Sequence, residues 1–278
     1  MKKMRVIVLI PALFFLASSF AANVDTVSIY SKAMDKTFKC VVIRPDVPAP
    51  AAGWPVVYLL HGYGGDYGNW IKRVPALKQH ADNFQVMIVC PDGGYSSWYL
   101  DSPADPSMRY ETYIAREVPA YIDAHFPTIK DRKARAITGL SMGGHGGLLL
   151  AFRNAKIFGA CGSMSGGVDL YSTKTKFDVN KRIGDTTANA DAWKDLSVMN
   201  IVERYPKDSL SIIFDCGVDD FFFEDNRRLH LKMQSLKIPH DYTERPGKHD
   251  WNYWSNSVQF HLLFFSNYFR KNIVNKNQ

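Results

Sequence analysis

The most informative part of this chain is Gly139-Leu140-Ser141-Met142-Gly143-Gly144-His145-Gly146-Gly147. A short apolar run at residues 134–138 precedes it, and the apolar start of a helix at residues 148–152 follows it. A glycine-flanked serine between a strand and a helix is typical of a nucleophile elbow, in which the serine occupies a sharp, strained bend. The helix N-terminus would supply free N–H groups where an oxyanion forms. The alternative is an ordinary glycine-rich turn in which Ser141 only caps the helix.

Short apolar runs alternate with helical patterns along the rest of the chain. The runs are apolar on both faces, which is typical of parallel strands covered by helices. They lie at residues 55–60, 86–90, 135–139, 157–163 and 211–216, after two opening strands at 24–30 and 37–43. Helical spacing of apolar residues is found at 108–126, 224–236 and 254–269. We therefore predict an α/β fold with a mostly parallel central sheet, helices on both faces and ligand sites at the carboxyl ends of the strands.

The first residues have the composition of a signal peptide. Positive charges precede an apolar run at residues 6–16, and small residues near Ala21 fit cleavage after that position. An uncleaved membrane anchor is the alternative, but the run is shorter than the roughly 20 residues that a membrane span needs. We expect residues 1–21 to be a cleaved signal peptide, residues 22–278 to form a single catalytic domain, and the mature protein to be secreted or periplasmic.

Charge argues against a nucleic acid partner, and hydropathy argues against membrane insertion. The formal net charge of +7 includes three positive residues of the predicted signal peptide, so the mature chain would have +4. Its basic residues are scattered rather than clustered, and we expect no nucleic acid partner. No later segment has about 18 uncharged apolar residues in a row, so we expect no stable membrane insertion.

Cysteine and histidine spacing argues against a metal site. The four cysteines lie in or beside predicted strands, at positions 40, 90, 161 and 216. They show no metal-ligand spacing, and neither does any pair of histidines. Export would permit disulfides, but cysteines spread along buried strands are more often free thiols. We expect free thiols, no catalytic metal and no cofactor.

A serine nucleophile needs a histidine base, and the base needs an orienting carboxylate. His249 follows a Pro-Gly turn and stands just before the last helix, where a chain order of Ser, Asp and His places the base. His145 lies one helical turn beyond Ser141, and we expect it to have a packing role.

The carboxylate should lie on a loop after a late strand. Either Asp219 or Asp220 satisfies this requirement, because both follow Gly217 at the end of a predicted strand. Asp215 lies within that strand and is less well placed.

An oxyanion hole should combine two backbone N–H groups. We expect one from Met142, directly after the serine, and one from Tyr63, in the glycine-rich turn that follows an early apolar strand. One further segment, residues 168–206, is polar and interrupts the alternation of strands and helices; it forms either part of the substrate mouth or a mere excursion over the sheet edge.

Four ordered motifs resemble the esterase D-type branch of the α/β-hydrolases. They are His61-Gly62-x-Gly64-Gly65, Gly139-Leu140-Ser141-Met142-Gly143-Gly144, Cys216-Gly217-x-x-Asp220 and Gly247-x-His249-x-Trp251. The branch includes feruloyl and acetylxylan esterases, tributyrin esterases, S-formylglutathione hydrolases and mycolyltransferases, and the resemblance spans residues 37–269. It implies an α/β-hydrolase fold with Ser141 as nucleophile and His249 as base. It also favours Asp220 over Asp219, because the family's acid is the third residue after the glycine.

The resemblance also suggests a substrate. Residues 97–103 are similar to a loop near the active site of polysaccharide esterases, and aromatic rims suit sugars and phenolic acids. We therefore predict an exported serine carboxylesterase acting on feruloyl or acetyl esters of plant cell-wall polysaccharide. A generalist short-chain esterase, an acyltransferase and a non-catalytic carbohydrate-binding relative are the alternatives. The candidate substrate contacts are Trp98, Tyr99, Asp101 and Trp251, although large aromatic residues also close cores and Asp101 could instead cap a helix.

Overall fold

The strands on either side of the serine turn pair into one eight-stranded sheet. The structure is a computed structural model, and it describes residues 22–204 and 209–273. The strands are β1 (Asn23–Ser31), β2 (Lys36–Arg44), β3 (Val56–Leu60), β4 (Met87–Pro91), β5 (Arg135–Gly139), β6 (Ala160–Met164), β7 (Ser211–Gly217) and β8 (Asp241–Arg245). Their order in the sheet is β1-β2-β4-β3-β5-β6-β7-β8. β1, β2 and β4 pair antiparallel, and all pairs from β4 to β8 are parallel, which confirms the predicted mostly parallel sheet.

Ten α-helices are present among the described residues. They are α1 (Asn69–Arg73), α2 (Leu77–Phe84), α3 (Tyr110–Thr112), α4 (Val118–His125), α5 (Met142–Arg153), α6 (Val179–Ile183), α7 (Ala190–Leu196), α8 (Val198–Ile201), α9 (Phe223–Ser235) and α10 (Trp251–Ile273). A π-helical turn, Tyr113–Glu117, joins α3 to α4, and 3₁₀ turns occupy Arg132–Ala134 and Leu170–Thr173.

The sheet is buried on both faces, and this explains why its central strands are continuously apolar. Along β3, Val56, Tyr58 and Leu60 pack into one core with residues of α4, α5 and α9. Val57 and Leu59 point to the opposite face and pack with residues of α1, α2 and α10. Successive side chains of a strand alternate between faces, so both sets must be apolar when helices cover both sides.

The sheet order brings the loops that carry the candidate catalytic residues to the carboxyl-terminal edge of the sheet. β3 and β5 are neighbours, with Leu60 beside Gly139, so the loop after β3 lies next to the serine turn after β5. β7 and β8 are parallel neighbours farther along, with Gly217 beside Arg245. The carboxyl ends of parallel strands share an edge, so the segments after β3, β5, β7 and β8 lie together there.

The interruption predicted at residues 168–206 is a helical excursion between β6 and β7. Its described part contains the 3₁₀ turn Leu170–Thr173 and helices α6, α7 and α8. Trp193 and Val198 in this excursion are fully buried in the same core as α5. The excursion is therefore packed onto the body of the protein.

Three further sequence-based expectations concern membrane spans, the signal peptide and the cysteines. Across residues 22–204 and 209–273, none of the helices combines the length and the apolar character that a membrane crossing requires. The predicted signal peptide, residues 1–21, lies outside the described residues. The four cysteines are buried and free, as expected, and burial raises the pKa of each thiol.

Candidate active site

Ser141 occupies a strained turn between β5 and α5. Its φ of 55° and ψ of −117° are unusual for a residue with a Cβ atom. The turn is held because the Ser141 N–H donates to the Met164 carbonyl at 2.9 Å and the Ser141 carbonyl accepts from the His145 N–H at 3.0 Å. A Cβ atom at Gly143 would lie 2.5 Å from the His61 carbonyl oxygen, so only glycine lets α5 approach β3 this closely.

The structure brings Ser141, His249 and Asp220 into one hydrogen-bonded chain. His249 Nε2 lies 2.8 Å from Ser141 Oγ, and His249 Nδ1 lies 2.8 and 3.0 Å from the two carboxylate oxygens of Asp220. The Asp220 side chain is fully buried, whereas the His249 side chain is 14% exposed. The imidazole thus bridges a buried carboxylate and a hydroxyl that solvent can reach.

The position of Asp220 resolves the choice between the two adjacent carboxylates. Asp220 Oδ1 also accepts the Phe222 N–H at 2.8 Å, which orients the carboxylate towards His249. Asp219 is exposed, and its N–H donates to the Gly247 carbonyl at 2.9 Å.

Backbone hydrogen bonds join the loop of the acid to the loop of the histidine. The Val218 N–H donates to the Arg245 carbonyl at 2.9 Å, next to the bond between Asp219 and Gly247. A Cβ atom at Gly217 would lie 2.4 Å from the Gly247 carbonyl oxygen, so the two loops touch through their backbones. The distance between Asp220 and His249 is therefore set by main-chain geometry.

Asp215 belongs to a separate buried network beneath these loops. Its carboxylate accepts from Arg245 at 3.0 Å, from the Tyr253 hydroxyl at 3.0 Å and from Ser257, and it lies 3.1 Å from His261 Nε2. Burial alone would raise the pKa of Asp215, but hydrogen bonds from His261 and Ser257 and the charge of Arg245 outweigh burial, and the pKa lies below its usual value. The network ties β7, β8 and α10 together, and Asp215 does not contact His249.

The backbone N–H groups of Tyr63 and Met142, the two expected oxyanion-hole donors, have no acceptor within the described part of the chain. Met142 begins α5, and the first N–H groups of a helix have no intrahelical partner. The Tyr63 loop adjoins the serine. This proximity is shown at Gly62, where a Cβ atom would lie 3.4 Å from Ser141 Cβ and 2.6 Å from Leu140 Cδ1.

His61 holds this loop in place. Its Nε2 accepts the Gly93 N–H at 2.8 Å, so the proton of the neutral ring is on Nδ1, which donates to the Gly62 carbonyl at 2.8 Å. Burial lowers the pKa of His61, which keeps the ring neutral and suits both bonds. His61 is therefore a positioning residue for the Tyr63 N–H.

Two of the four predicted substrate contacts, Trp98 and Tyr99, lie in the core, and for these two the prediction needs correction. Trp98 and Tyr99 are fully buried; Trp98 Nε1 donates to the Phe177 carbonyl at 2.9 Å and the Tyr99 hydroxyl to the His61 carbonyl at 2.9 Å. Large apolar rings gain more from burial than from exposure, so these two close the core behind the site. Asp101 accepts the N–H of Thr112 at 3.0 Å at the start of a helix, which is the capping alternative.

Trp251 and His145 also have packing roles. The Trp251 ring lies edge-on to Trp70 and Trp254, and it is Trp254 that contacts His249, at 4.9 Å between ring centroids. His145 is fully buried with Nε2 2.9 Å from the Leu196 carbonyl, as expected for a structural residue.

The rings that do surround the site form an aromatic arc, defined here as Tyr95, Tyr63, Phe177 and Phe221. Neighbouring centroids along this arc lie 4.9, 5.5 and 6.1 Å apart, and Phe221 lies 4.2 Å from His249. The sequence-based analysis missed Phe177 and Phe221 as site residues. The one available signal was the run of three phenylalanines directly after Asp220.

A buried carboxylate, an imidazole and a hydroxyl in this order, beside two free N–H groups, can perform acyl transfer through a serine nucleophile. Among the described residues, no group of three or more His, Cys, Asp or Glu side chains is arranged to hold a metal ion. Fold and site together define an α/β-hydrolase of the serine hydrolase class.

Comparison with known proteins identifies the family. A family model described as "Putative esterase" matches residues 31–265, and the chain belongs to this esterase family. It is a serine hydrolase acting on carboxylic ester bonds.

Two relatives are similar over nearly their whole length. An acetyl esterase of Caldicellulosiruptor saccharolyticus is 26% identical over 254 residues, covering 84% of this chain and 94% of the relative. A solved structure of a ferulic acid esterase is 26% identical, with a TM-score of 0.75 over 90% of this chain and 99% of that chain. The S-formylglutathione hydrolase of Agrobacterium tumefaciens, at 22% identity and a TM-score of 0.78 over 91% of this chain and 97% of that chain, shares the fold.

Proposed function

We propose that this protein is an exported carboxylesterase that removes acetyl or feruloyl groups from plant cell-wall polysaccharide, with Ser141, His249 and Asp220 as its catalytic residues. The observation that carries the catalytic assignment is the continuous chain from Ser141 Oγ to His249 Nε2, at 2.8 Å, and from His249 Nδ1 to Asp220, also at 2.8 Å.

The first half of the reaction forms an acyl-enzyme. His249 Nε2 takes the proton of the Ser141 hydroxyl as Oγ attacks the ester carbonyl carbon, and the carbonyl electrons move onto oxygen. The resulting oxyanion is received by the Tyr63 and Met142 N–H groups. When the carbonyl re-forms, the bond to the alcohol oxygen breaks, and the His249 imidazolium gives its proton to that oxygen.

The second half releases the acid. His249 takes a proton from water, the hydroxide oxygen attacks the acyl carbon, and the same proton returns to Ser141 Oγ as the carboxylic acid leaves. Asp220 keeps the Nδ1 proton in place and stabilises the imidazolium in both halves. Removal of one oxyanion-hole donor typically lowers turnover by about 100- to 1,000-fold, which measures what such N–H groups contribute.

Three observations support the choice of substrate. The relatives that are 26% identical are named for acetyl and ferulic acid esters. The aromatic arc reaches from the Tyr63 loop to His249, and flat rings suit both phenolic acids and sugars. The predicted signal peptide at residues 1–21 would deliver the enzyme to where cell-wall polymers are found.

The catalytic assignment is tested with p-nitrophenyl acetate on the wild type and on Ser141→Ala. We expect the variant to lose at least about 1,000-fold in kcat, since the nucleophile is gone. Equal rates would end the enzymatic interpretation of this site.

The substrate assignment is tested by comparing methyl ferulate, acetylated xylan and tributyrin. Cleavage of tributyrin alone would replace the cell-wall proposal by a generalist short-chain esterase. Export is tested by sequencing the N-terminus of the protein recovered outside the cytoplasm, where we expect Ala22 as the first residue.

A further inference from the structure

The side on which the alcohol leaves follows from the position of His249. Its Nε2 must lie within hydrogen-bond reach of the departing oxygen, so the alcohol part of the ester occupies the histidine side of Ser141. Three rings contact His249 there, namely Phe221 at 4.2 Å, Trp254 at 4.9 Å and Phe222 at 5.3 Å. Trp254 and Phe222 are buried, whereas Phe221 is 62% exposed. Of these three rings, Phe221 therefore offers by far the largest exposed face to an alcohol that departs beside His249.

A cleft of about 460 Å³ adjoins Phe221, between the excursion and the start of α9. One wall is aromatic and is formed by Phe177, Phe221 and Phe222. The other wall is polar and is formed by Ser172, Thr173, Lys176 and Asp225. A sugar ring has the same two-sided character, with C–H faces that pack on aromatic rings and hydroxyl groups that need hydrogen-bond partners. The volume lies in the range of small-molecule sites.

The aromatic wall is held in a fixed conformation. Phe177 and Asp178 are consecutive non-glycine residues with positive φ, at 55° and 57°. The Phe177 carbonyl accepts from Trp98 Nε1 at 2.9 Å, and the Asp178 carboxylate accepts from the Tyr63 hydroxyl at 3.2 Å. Burial and the Asp178 carboxylate raise the pKa of Tyr63 to about 12, so this hydroxyl remains a donor. Strained backbone persists only where its surroundings hold it, and it clusters at ligand sites.

The polar wall is also ordered. The Asp225 carboxylate accepts from Ser172 Oγ and from Arg228 at 2.6 Å, and its two oxygens have lone pairs left for further donors. The Lys176 side chain is exposed on the same wall. Sugar hydroxyls can therefore donate to Asp225 and accept from Lys176.

We propose that this cleft binds the sugar residue that carries the ester, with Phe221 as its stacking platform, so that Phe221 determines specificity for the alcohol and not for the acyl group. The proposal rests on the esterase function assigned above to Ser141.

Four esters that combine two acyl groups with two alcohols test the proposal. They are methyl acetate, methyl ferulate, and the acetyl and feruloyl esters of one xylo-oligosaccharide. We expect Phe221→Ala to lower kcat/KM about tenfold on both sugar esters, mainly through KM, and by less than about twofold on both methyl esters. Phe221→Tyr keeps the ring and should restore sugar-ester activity. Tyr30→Ala removes an exposed ring on the distant strand β1 and should leave all four rates unchanged.

Two results would overturn the proposal while leaving the esterase function intact. A loss that follows the feruloyl group with either alcohol would place Phe221 in the acyl site. An equal loss on all four esters would mean that Phe221 acts by orienting His249. Failure of the proposed function is distinguishable, because the wild type would then cleave none of the esters or Ser141→Ala would cleave them equally well.

Discussion

Substituting asparagine for each of two buried aspartates should separate catalysis from stability. Asp215 lies within β7 and Asp220 lies five residues later in the loop after it, and both carboxylates lie close to a histidine nitrogen. In Asp220→Asn an amide faces His249 Nδ1, which favours the wrong tautomer and cannot stabilise the imidazolium. The loss in kcat expected for this change is about 10⁴-fold, equivalent to about 5 kcal/mol of barrier. The fold should be little affected, because an amide oxygen can still accept the Phe222 N–H.

Asp215→Asn should have the opposite profile. The carboxylate is 1% exposed and neutralises Arg245, whose side chain is only 20% exposed. Removing one partner of a buried ion pair typically costs about 3–5 kcal/mol. For a domain of this size 1 kcal/mol corresponds to roughly 2–4 °C, so we expect a fall in Tm of about 10 °C. The activity of the folded molecules should remain within about tenfold of the wild type, because Asp215 does not touch the reacting groups.

The assay measures kcat on p-nitrophenyl acetate at a temperature where all variants are folded, together with thermal unfolding followed by circular dichroism. Asp219→Asn is the matched control, since this carboxylate is exposed and adjacent in sequence. The reasoning is refuted if Asp220→Asn retains more than a tenth of wild-type kcat. It is equally refuted if Asp215→Asn unfolds at the wild-type temperature.

Three further outcomes are expected. Burial lowers the pKa of His145 to about 4, so on acidification this histidine is protonated in the unfolded chain before it is protonated in the folded protein. The free energy of unfolding should therefore fall by about 3 kcal/mol as the pH drops from about 6.5 to 4. Thermal unfolding across this pH interval should show a smaller loss for His145→Gln. Gly62→Ala should lower kcat by about 100-fold and the free energy of unfolding by about 1–3 kcal/mol. The new Cβ would lie 2.6 Å from Leu140 Cδ1, so the loop of the oxyanion hole beside Ser141 must shift. Steady-state kinetics would measure the first effect and urea unfolding the second. The four buried thiols should not react with a thiol reagent in the native protein and should all react in denaturant, and rapid native labelling would contradict their burial.

Much of the fold could be predicted from local patterns. Runs that are apolar on both faces indicated the central parallel strands, since only a sheet covered on both sides requires them. The boundaries were less accurate: the run at 157–163 predicted a strand that in fact begins at Ala160, because the Ile157 and Phe158 N–H groups both donate to the Asn154 carbonyl in a turn. The turn around Ser141 was predictable because the spacing of its glycines is itself a recognisable local pattern, although the contacts that require Gly139 and Gly143 are made with the distant strand β3 and the residue after it.

The aromatic residues were the least predictable part of the site. Trp98 and Tyr99 lie on the loop after β4, at the same carboxyl-terminal edge of the sheet as the candidate site. Both rings are nevertheless buried, because the excursion and α5 pack over them. Phe177 and Phe221 stack on each other and Phe221 contacts His249, although the two rings are 44 positions apart in the chain and lie in different segments. A local pattern shows that a ring is apolar but not which neighbour covers it.

The residue order of this chain was enough to specify the chemistry, since a serine on a glycine turn, an acid after a late strand and a histidine before the last helix are each local features with a required order. Which acid faces the histidine, which rings border the entrance and where an alcohol could be held depend on contacts between distant segments. Those contacts follow from the neighbour relations of β3, β5, β7 and β8 and from the packing of the excursion onto the body, because side chains far apart in the chain meet only after the backbone has folded.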